Sequence, residues 1–230
     1  MPSLWPSCSA ISPREIVNRM SSQRIERHKL IDRAFHWVMA AAMFALLITG
    51  FAPKLGISFE WLLVHWVAGL LLSLIVLGHI IRALFWQSLR SMWFTASDAT
   101  AVSSLLGKGD AAKPGKYSLA QRLMHHAVTF FCLAAIATGL VMMAKIDSPL
   151  WTRDPYLISA ETWGLVYVLH GLAALIFVSL IVLHVYFAIR PEKLFYLRAM
   201  AFGWISRDEM TANHDPALWT DHTPRREGQS

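Results

Sequence analysis

The chain has 230 residues, of which 55% are hydrophobic and only 16% are charged. Soluble domains carry about a quarter charged residues, so this composition excludes an ordinary water-soluble domain, a disordered chain and a disulfide scaffold. The formal net charge of +6 would suit a nucleic-acid-binding protein. The basic residues are nevertheless distributed as in a membrane protein, and no nucleic-acid partner is expected. Cys8 and Cys132 have neither a metal-binding spacing nor the spacing of covalent c-type haem.

Four apolar stretches are each long enough to cross the hydrocarbon core of a membrane, which takes about 20 residues in a helix. Backbone groups cannot remain unpaired in lipid, and the stretches do not alternate as barrel strands do, so helices are predicted. The expected fold class is an all-α membrane protein, a bundle of four transmembrane helices. The predicted spans are residues 36–53, 61–86, 121–143 and 163–189.

Lysine and arginine are concentrated on one side of these spans. Three parts of the chain are basic: the N-terminal segment, the connection between the second and third spans, and the residues after the fourth span. The other two connections together hold three basic residues. Because cytoplasmic loops are enriched in Lys and Arg, both termini are expected in the cytoplasm and the bundle in a bacterial inner membrane. The expected organisation is a cytoplasmic segment 1–35, a bundle domain 36–189 and a cytoplasmic tail 190–230, loosely ordered from about residue 206.

Histidines lie at matching depths in the predicted bundle. His170 and His184 are fourteen positions apart on the fourth span, which places two imidazoles on one helix face about 21 Å apart along the axis. His65 is level with His170, and His36 is level with His184. Ionisable side chains within a bilayer are functional by default, and neutral imidazoles are good ligands of haem iron. The spacing predicts two b-type haems, one held by His65 and His170 and the other by His36 and His184.

The spacing leaves two other readings open. His79 follows His65 by fourteen positions, so it is an alternative to His36 as the partner of His184 in a two-helix arrangement. A protein of another class, a haem-free membrane anchor or a small transporter, would use such histidines to bind a transition metal or to relay protons.

Around these histidines the chain resembles the cytochrome b (gamma) subunit of respiratory formate dehydrogenase, over about residues 28–219. The segment K-L-I-D-R-A-F-H-W, residues 29–37, is similar to the first-helix signature of that family, and V-H-W-V-A-G, residues 64–69, to its second-helix motif. The fourth-helix motif of that family is similar to H-G-L-A-A and L-H-V-Y, from His170 onward. G-K-Y-S-L-A-Q-R, residues 115–122, is similar to the G-K-Y-N-x-G-Q-K segment before the third helix, and favours formate dehydrogenase over other four-helix cytochromes.

The resemblance implies particular roles for these residues. The family's haem ligands correspond to His36, His65, His170 and His184, and the family has no ligand at the position of His79. A quinone, menaquinone or ubiquinone, is implied beside the haem of His36 and His184. Its implied contacts are His184, Ser118 (Asn in the family), Ala120 (Gly in the family) and Gln121, with Tyr117 and His125 as further candidates.

The resemblance also implies partners. The chain would anchor an iron–sulfur (beta) subunit and a molybdenum- or tungsten-containing catalytic (alpha) subunit on the periplasmic face, in a complex that can form higher oligomers. Its two haems b would pass electrons from the iron–sulfur subunit to quinone, and the chain itself would not oxidise formate. The nearest alternative is the di-haem cytochrome b of a nickel–iron hydrogenase or of another quinone-linked oxidoreductase.

Overall fold

Four long helices form most of the part of the chain that the computed structural model describes, residues 24–86, 92–94, 98–99, 102–103 and 113–219. Each of the four is long and apolar enough to cross a membrane. The predicted four-helix membrane bundle is therefore confirmed. The helices are α1 (Leu30–Phe51), α2 (Trp61–Trp86), α3 (Leu119–Met142) and α4 (Ala160–Ile189).

Three of the helices begin before the predicted spans, and two of these begin after a capping serine. Helix α3 begins after Ser118, whose hydroxyl accepts a hydrogen bond from the backbone N–H of Gln121, and the Gln121 side chain accepts one from the backbone N–H of Ser118. Helix α4 begins after Ser159, which caps it by accepting from the backbone N–H of Thr162. Helix α1 begins at Leu30, six residues before His36. The apolar stretches thus mark the membrane core rather than the helix ends.

The helices pack as two antiparallel hairpins, α1 with α2 and α3 with α4. The first hairpin turns through a 3₁₀ segment, Ala52–Leu55, which ends at Gly56 with φ of 84°. That left-handed backbone conformation favours glycine. In the longer turn of the second hairpin, the indole of Trp151 donates to the carbonyl of Met143 at 2.8 Å and that of Trp163 to the carbonyl of Pro155 at 2.9 Å. Both turns lie at the same end of the bundle.

One buried residue from each helix meets the others at the middle of the bundle. Ala42, Leu72, Cys132 and Phe177 form this cluster, called the waist below, and Phe177 is 3% exposed. Phe177 lies seven residues from both His170 and His184 along α4. Small and apolar side chains at such positions allow helices to pack closely in lipid. The waist therefore divides the interior of the bundle into two halves, with one histidine level in each.

A small folded unit covers the end of the bundle at which α1 begins and α4 ends. Strand β1 (Arg24–Glu26) pairs antiparallel with β2 (Trp204–Ser206). Helix α5 (Leu194–Phe202) precedes β2 and helix α6 (Arg207–Asn213) follows it. We call this unit, made of residues 24–29, 113–117 and 190–219, the terminal cap. Its apolar core is Phe195, Ala199 and Ile205.

The expectation that the tail is loosely ordered from about residue 206 is wrong for residues 206–219. Ser206 and Glu209 form a capping box at the start of α6, and Asp215 caps the 3₁₀ turn Pro216–Leu218. Charged and small residues in this stretch therefore specify helix ends and a turn rather than an open coil. The remaining tail residues lie outside the described part of the chain.

The centre of the terminal cap is a buried Arg–His contact. Arg27 is 2% exposed and His214 is fully buried. The Nδ1 atom of His214 donates to the carbonyl of Gly115 at 2.6 Å, so that Nε2 accepts from the guanidinium of Arg27 at 3.2 Å and from the hydroxyl of Tyr196 at 3.0 Å. Arg27 also donates to the carbonyl of Lys116 at 2.7 Å. A neutral imidazole satisfies every one of these contacts.

Candidate metal centres

The rings of His65 and His170 face each other across α2 and α4. Their centres are 6.3 Å apart, and the ring planes are inclined by 72°. His65 lies in the second turn of α2 and His170 in the third turn of α4, so the antiparallel hairpins bring them to one level. This 65/170 pair lies at the end of the bundle that carries the two hairpin turns.

A second pair, His36 on α1 and His184 on α4, lies at the opposite end, next to the terminal cap. Its ring centres are also 6.3 Å apart, with planes inclined by 44°. The Nδ1 atom of His36 is buried and has no hydrogen-bond partner among the described residues. Nδ1 of His79 is likewise buried and without such a partner, so this feature alone does not identify a metal ligand.

Both pairs have the spacing that one metal atom between two imidazoles requires. Imidazole nitrogens bind a metal at about 2 Å, so two rings on opposite sides of it have centres about 6 Å apart. Each pair offers two ligands, which is the number of axial positions on a haem iron. Within the described ranges, no group of three or more His, Cys, Asp or Glu side chains is arranged to hold a bare metal ion. The donor set therefore fits haem, which supplies the other four ligands itself.

Two threonines that the sequence analysis did not identify hold the histidines of the 65/170 pair. The hydroxyl of Thr49 lies 2.8 Å from Nδ1 of His65, and the hydroxyl of Thr138 lies 2.9 Å from Nδ1 of His170. Each hydroxyl is also 2.7 Å from the carbonyl oxygen four residues earlier in its own helix. The hydroxyl proton goes to that carbonyl, so the oxygen accepts from the ring N–H. Each Nε2 therefore keeps a lone pair for a metal.

A glycine follows each threonine and packs against the same ring. A Cβ atom at Gly50 would lie 3.6 Å from Cε1 of His65, and one at Gly139 would lie 3.3 Å from Cε1 of His170. The dipeptide Thr-Gly thus recurs near the ends of α1 and α3. These helices pack against the helices that carry His65 and His170, respectively. The repeat was visible in the sequence, as I-T-G and A-T-G, but hydropathy and histidine spacing do not reveal it.

Gly139→Ala is expected to weaken haem binding at the 65/170 pair, because its methyl group would crowd the ring of His170. Crowding of this kind in a packed interior costs about 1–3 kcal/mol, which corresponds to a loss of affinity from about fivefold to about a hundredfold. The matched control is Gly50→Ala, whose methyl group has ordinary contact distance to His65. Haem content and the low-spin optical spectrum of both variants measure the effect. Equal haem loss in both variants would contradict the assigned packing.

His79 lies at the same end of the bundle as the 36/184 pair, but its ring packs elsewhere. Its ring contact in the described part of the chain is with Phe35, at 6.0 Å between centres. The residue one turn later, Arg82, forms an ion pair with Asp32 on α1. Thus the structure brings His36, rather than His79, against His184.

The predicted quinone contacts lie where α3 leaves the terminal cap. Ser118 and Gln121 form the capping box of α3, and Ala120 is exposed in its first turn. The ring of Tyr117 lies 6.4 Å from that of His28. Burial, together with the charge of Arg27, lowers the pKa of His28 to about 3. The ring of His125 lies 5.6 Å from that of His126, whose Nε2 donates to the carbonyl of Met92 at 3.0 Å.

Gly115, the first residue of the G-K-Y segment, is required by close packing. A Cβ atom there would lie 2.5 Å from the carbonyl oxygen of Leu218, a distance at which the backbone must move. The carbonyls of Gly115 and Lys116 accept from His214 and Arg27 respectively. Part of this motif therefore serves to attach the terminal cap to the start of α3.

A membrane bundle with facing histidine pairs at two depths is typical of a membrane cytochrome b, which transfers electrons through b-type haem. Residues 27–203, more than half of the chain, match the family described as prokaryotic cytochrome b561. The chain therefore belongs to the prokaryotic cytochrome b561 family, a family of di-haem b cytochromes. Comparison with curated proteins gives no match. The predictions of a multi-pass membrane protein, b-type haem and a role in electron transfer are confirmed at this level.

Proposed function

We propose that this chain is the di-haem cytochrome b subunit of a formate dehydrogenase complex in a bacterial inner membrane, with both termini in the cytoplasm. The observation that carries the proposal is the presence of two facing histidine pairs, each 6.3 Å between ring centres, in a cytochrome b family. The concentration of Lys and Arg on the terminal side supports the orientation. In the proposed orientation, the 65/170 pair lies near the periplasm and the 36/184 pair near the cytoplasm.

The four histidines hold two haems b in this proposal, His65 with His170 and His36 with His184. The bound haems supply reversible one-electron transfer between the two sides of the membrane. The chain contributes the ligands, and through the waist it keeps the two pairs apart. Along α4 the two ligands differ in height by about 21 Å, so the pairs serve opposite faces of the membrane.

The electron donor is an iron–sulfur (beta) subunit docked at the periplasmic end, fed by a molybdenum- or tungsten-containing (alpha) subunit that oxidises formate. The G-K-Y segment supports this choice, since it is the motif by which the chain resembles formate dehydrogenase cytochromes. The family match is equally compatible with a cytochrome b that serves a nickel–iron hydrogenase, which is therefore the second candidate.

Quinone, menaquinone or ubiquinone, binds in this proposal beside the 36/184 pair, next to Tyr117 and the first turn of α3. The capping box uses an acceptor oxygen of Ser118 and of Gln121. The hydroxyl proton of Ser118 and the amide protons of Gln121 can still donate to a quinone carbonyl. The exposed Ala120 leaves space at the same turn. The remaining candidate contacts are His125 and His184.

The test is purification of the protein from its native membranes, followed by a pyridine haemochrome assay and identification of the proteins that co-purify. We expect two b haems per chain, an iron–sulfur partner, and haem reduction by formate. Haems that are reduced by hydrogen but not by formate would overturn the formate dehydrogenase assignment in favour of the hydrogenase candidate. A protein without haem would refute both and favour a haem-free anchor or transporter.

A further inference from the structure

The two histidine pairs differ in what their Nδ1 atoms meet. Thr49 and Thr138 accept from both rings of the 65/170 pair, at 2.8 and 2.9 Å. At the other end of the bundle, the buried Nδ1 atom of His36 has no hydrogen-bond partner among the described residues. The pairs match in ring spacing, so this hydrogen bonding is the clearest chemical difference between them.

The threonine hydroxyls form hydrogen bonds with the histidines as well as with carbonyls of their own helices. Serine and threonine side chains in membrane helices commonly donate to a carbonyl one turn earlier, and Ser73 does so to Gly69 at 2.8 Å. Thr49 and Thr138 make the same donation and also accept from an imidazole. Donating to the carbonyl polarises the hydroxyl, which strengthens the bond that its oxygen accepts.

A histidine whose Nδ1–H is hydrogen-bonded is a more basic ligand at Nε2. A more basic axial ligand stabilises ferric iron relative to ferrous iron and so lowers the reduction potential, for which hydrogen bonds around the metal are a recognised determinant. Both histidines of the 65/170 pair make this hydrogen bond. A Cβ atom on the glycine after each threonine would lie 3.6 and 3.3 Å from Cε1 of the rings, so each ring packs over a glycine that leaves room for it beside the hydroxyl.

We propose that Thr49 and Thr138 are positioning residues that make the 65/170 site the more negative of the two haem sites in reduction potential. This inference rests on the proposed function, since it takes the four histidines as haem ligands. The difference in reduction potential between the two sites sets the direction of electron transfer. Electrons move downhill from the end with the hairpin turns to the end with the terminal cap, whichever dehydrogenase donates them.

The experiment is a potentiometric titration of the haem-loaded protein, followed by optical and paramagnetic resonance spectra. Thr49→Val and Thr138→Val keep the branched shape of the side chain and remove the hydroxyl. We expect the more negative midpoint potential to rise in each variant and to rise further in the double variant, while the other potential stays unchanged. Thr49→Ser and Thr138→Ser should retain the original potential. Ser73→Ala removes a hydroxyl that, among the described residues, bonds only to its own helix, and serves as the control.

A second measurement assigns the potentials independently and does not need the valine variants to load haem. His36→Ala should keep only the haem of the 65/170 pair in the low-spin form, and the potential of that low-spin haem should equal the more negative one of the unmodified protein. If the retained haem has the more positive potential, the inference is overturned. It is also overturned if the double valine variant keeps two low-spin haems with unchanged potentials, while the proposed function stands. Absence of haem from the unmodified protein would instead refute the proposed function itself.

Discussion

Replacing His36 with alanine is expected to remove one of two low-spin b haems completely, or to convert it to a high-spin form, and to leave the other unchanged. The ring of His36 faces that of His184 at 6.3 Å, so in the proposed haem assignment its loss would leave the iron at that level with one protein ligand. His65 and His170 lie about 21 Å away along the helix axes, beyond the waist. Haem content and paramagnetic resonance of the purified variant measure the result.

The matched control is His79→Ala, at the histidine that spacing alone allows as a ligand. Its ring packs on Phe35 at 6.0 Å, beside the ion pair of Asp32 and Arg82, so both low-spin signals should persist. Loss of a low-spin signal in His79→Ala, with both signals intact in His36→Ala, would contradict the assignment. It would favour the arrangement in which two helices supply all four ligands.

The terminal cap is expected to lose stability as the pH falls from about 6.5 to about 4. Burial, together with the charge of Arg27, lowers the pKa of His214 to about 4 in the folded protein, whereas an unfolded histidine has a pKa of about 6.5. Between these values the unfolded state binds more protons, so the stabilisation is present above about pH 6.5 and is lost towards pH 4. For the fully buried imidazole of His214 the loss amounts to about 3 kcal/mol. Amide hydrogen exchange of residues 204–213, corrected for the pH dependence of the intrinsic exchange rates, measures this loss of stability.

Glutamine at position 214 provides the control, because an amide donates and accepts but does not titrate in this range. His214→Gln should therefore reduce the pH dependence of exchange in the cap. His28, with its pKa also lowered to about 3 by burial, contributes in the same direction, so the double variant with His28→Gln should be nearly independent of pH. Undiminished acid sensitivity in the double variant would show that other groups control the cap. The hydrogen-exchange rates of helices α2 and α3 serve as internal references.

The bundle and the pairing of His65 with His170 could be predicted from the sequence because both depend on simple periodicities. Apolar stretches of membrane length specify the helices, and fourteen residues return a helix to nearly the same face. The choice between His36 and His79 could not be made by spacing, since both lie at the level of His184. It depends on how α1 and α2 rotate against α4, which side-chain packing decides.

The threonines and the terminal cap escaped prediction for a different reason. Thr49 lies 16 residues before His65 and Thr138 lies 32 residues before His170, so no fixed period connects them. The cap assembles three segments that are far apart in the chain around Arg27, which hydropathy assigns to a solvated basic stretch. A guanidinium is buried there because carbonyl, imidazole and aromatic partners converge on it, with its carbon 4.7 Å from the ring centre of Tyr196.

The waist has a consequence for energy conservation. Protons cross a protein along chains of hydrogen-bonding groups or water, whereas electrons tunnel through hydrocarbon. Ala42, Leu72 and Phe177 offer no such group, and the buried thiol of Cys132 is only a weak donor. Among the described residues, the waist therefore offers no continuous relay for protons. In the proposed di-haem arrangement, electrons can therefore pass between the two sides of the membrane without a leak of protons through the waist.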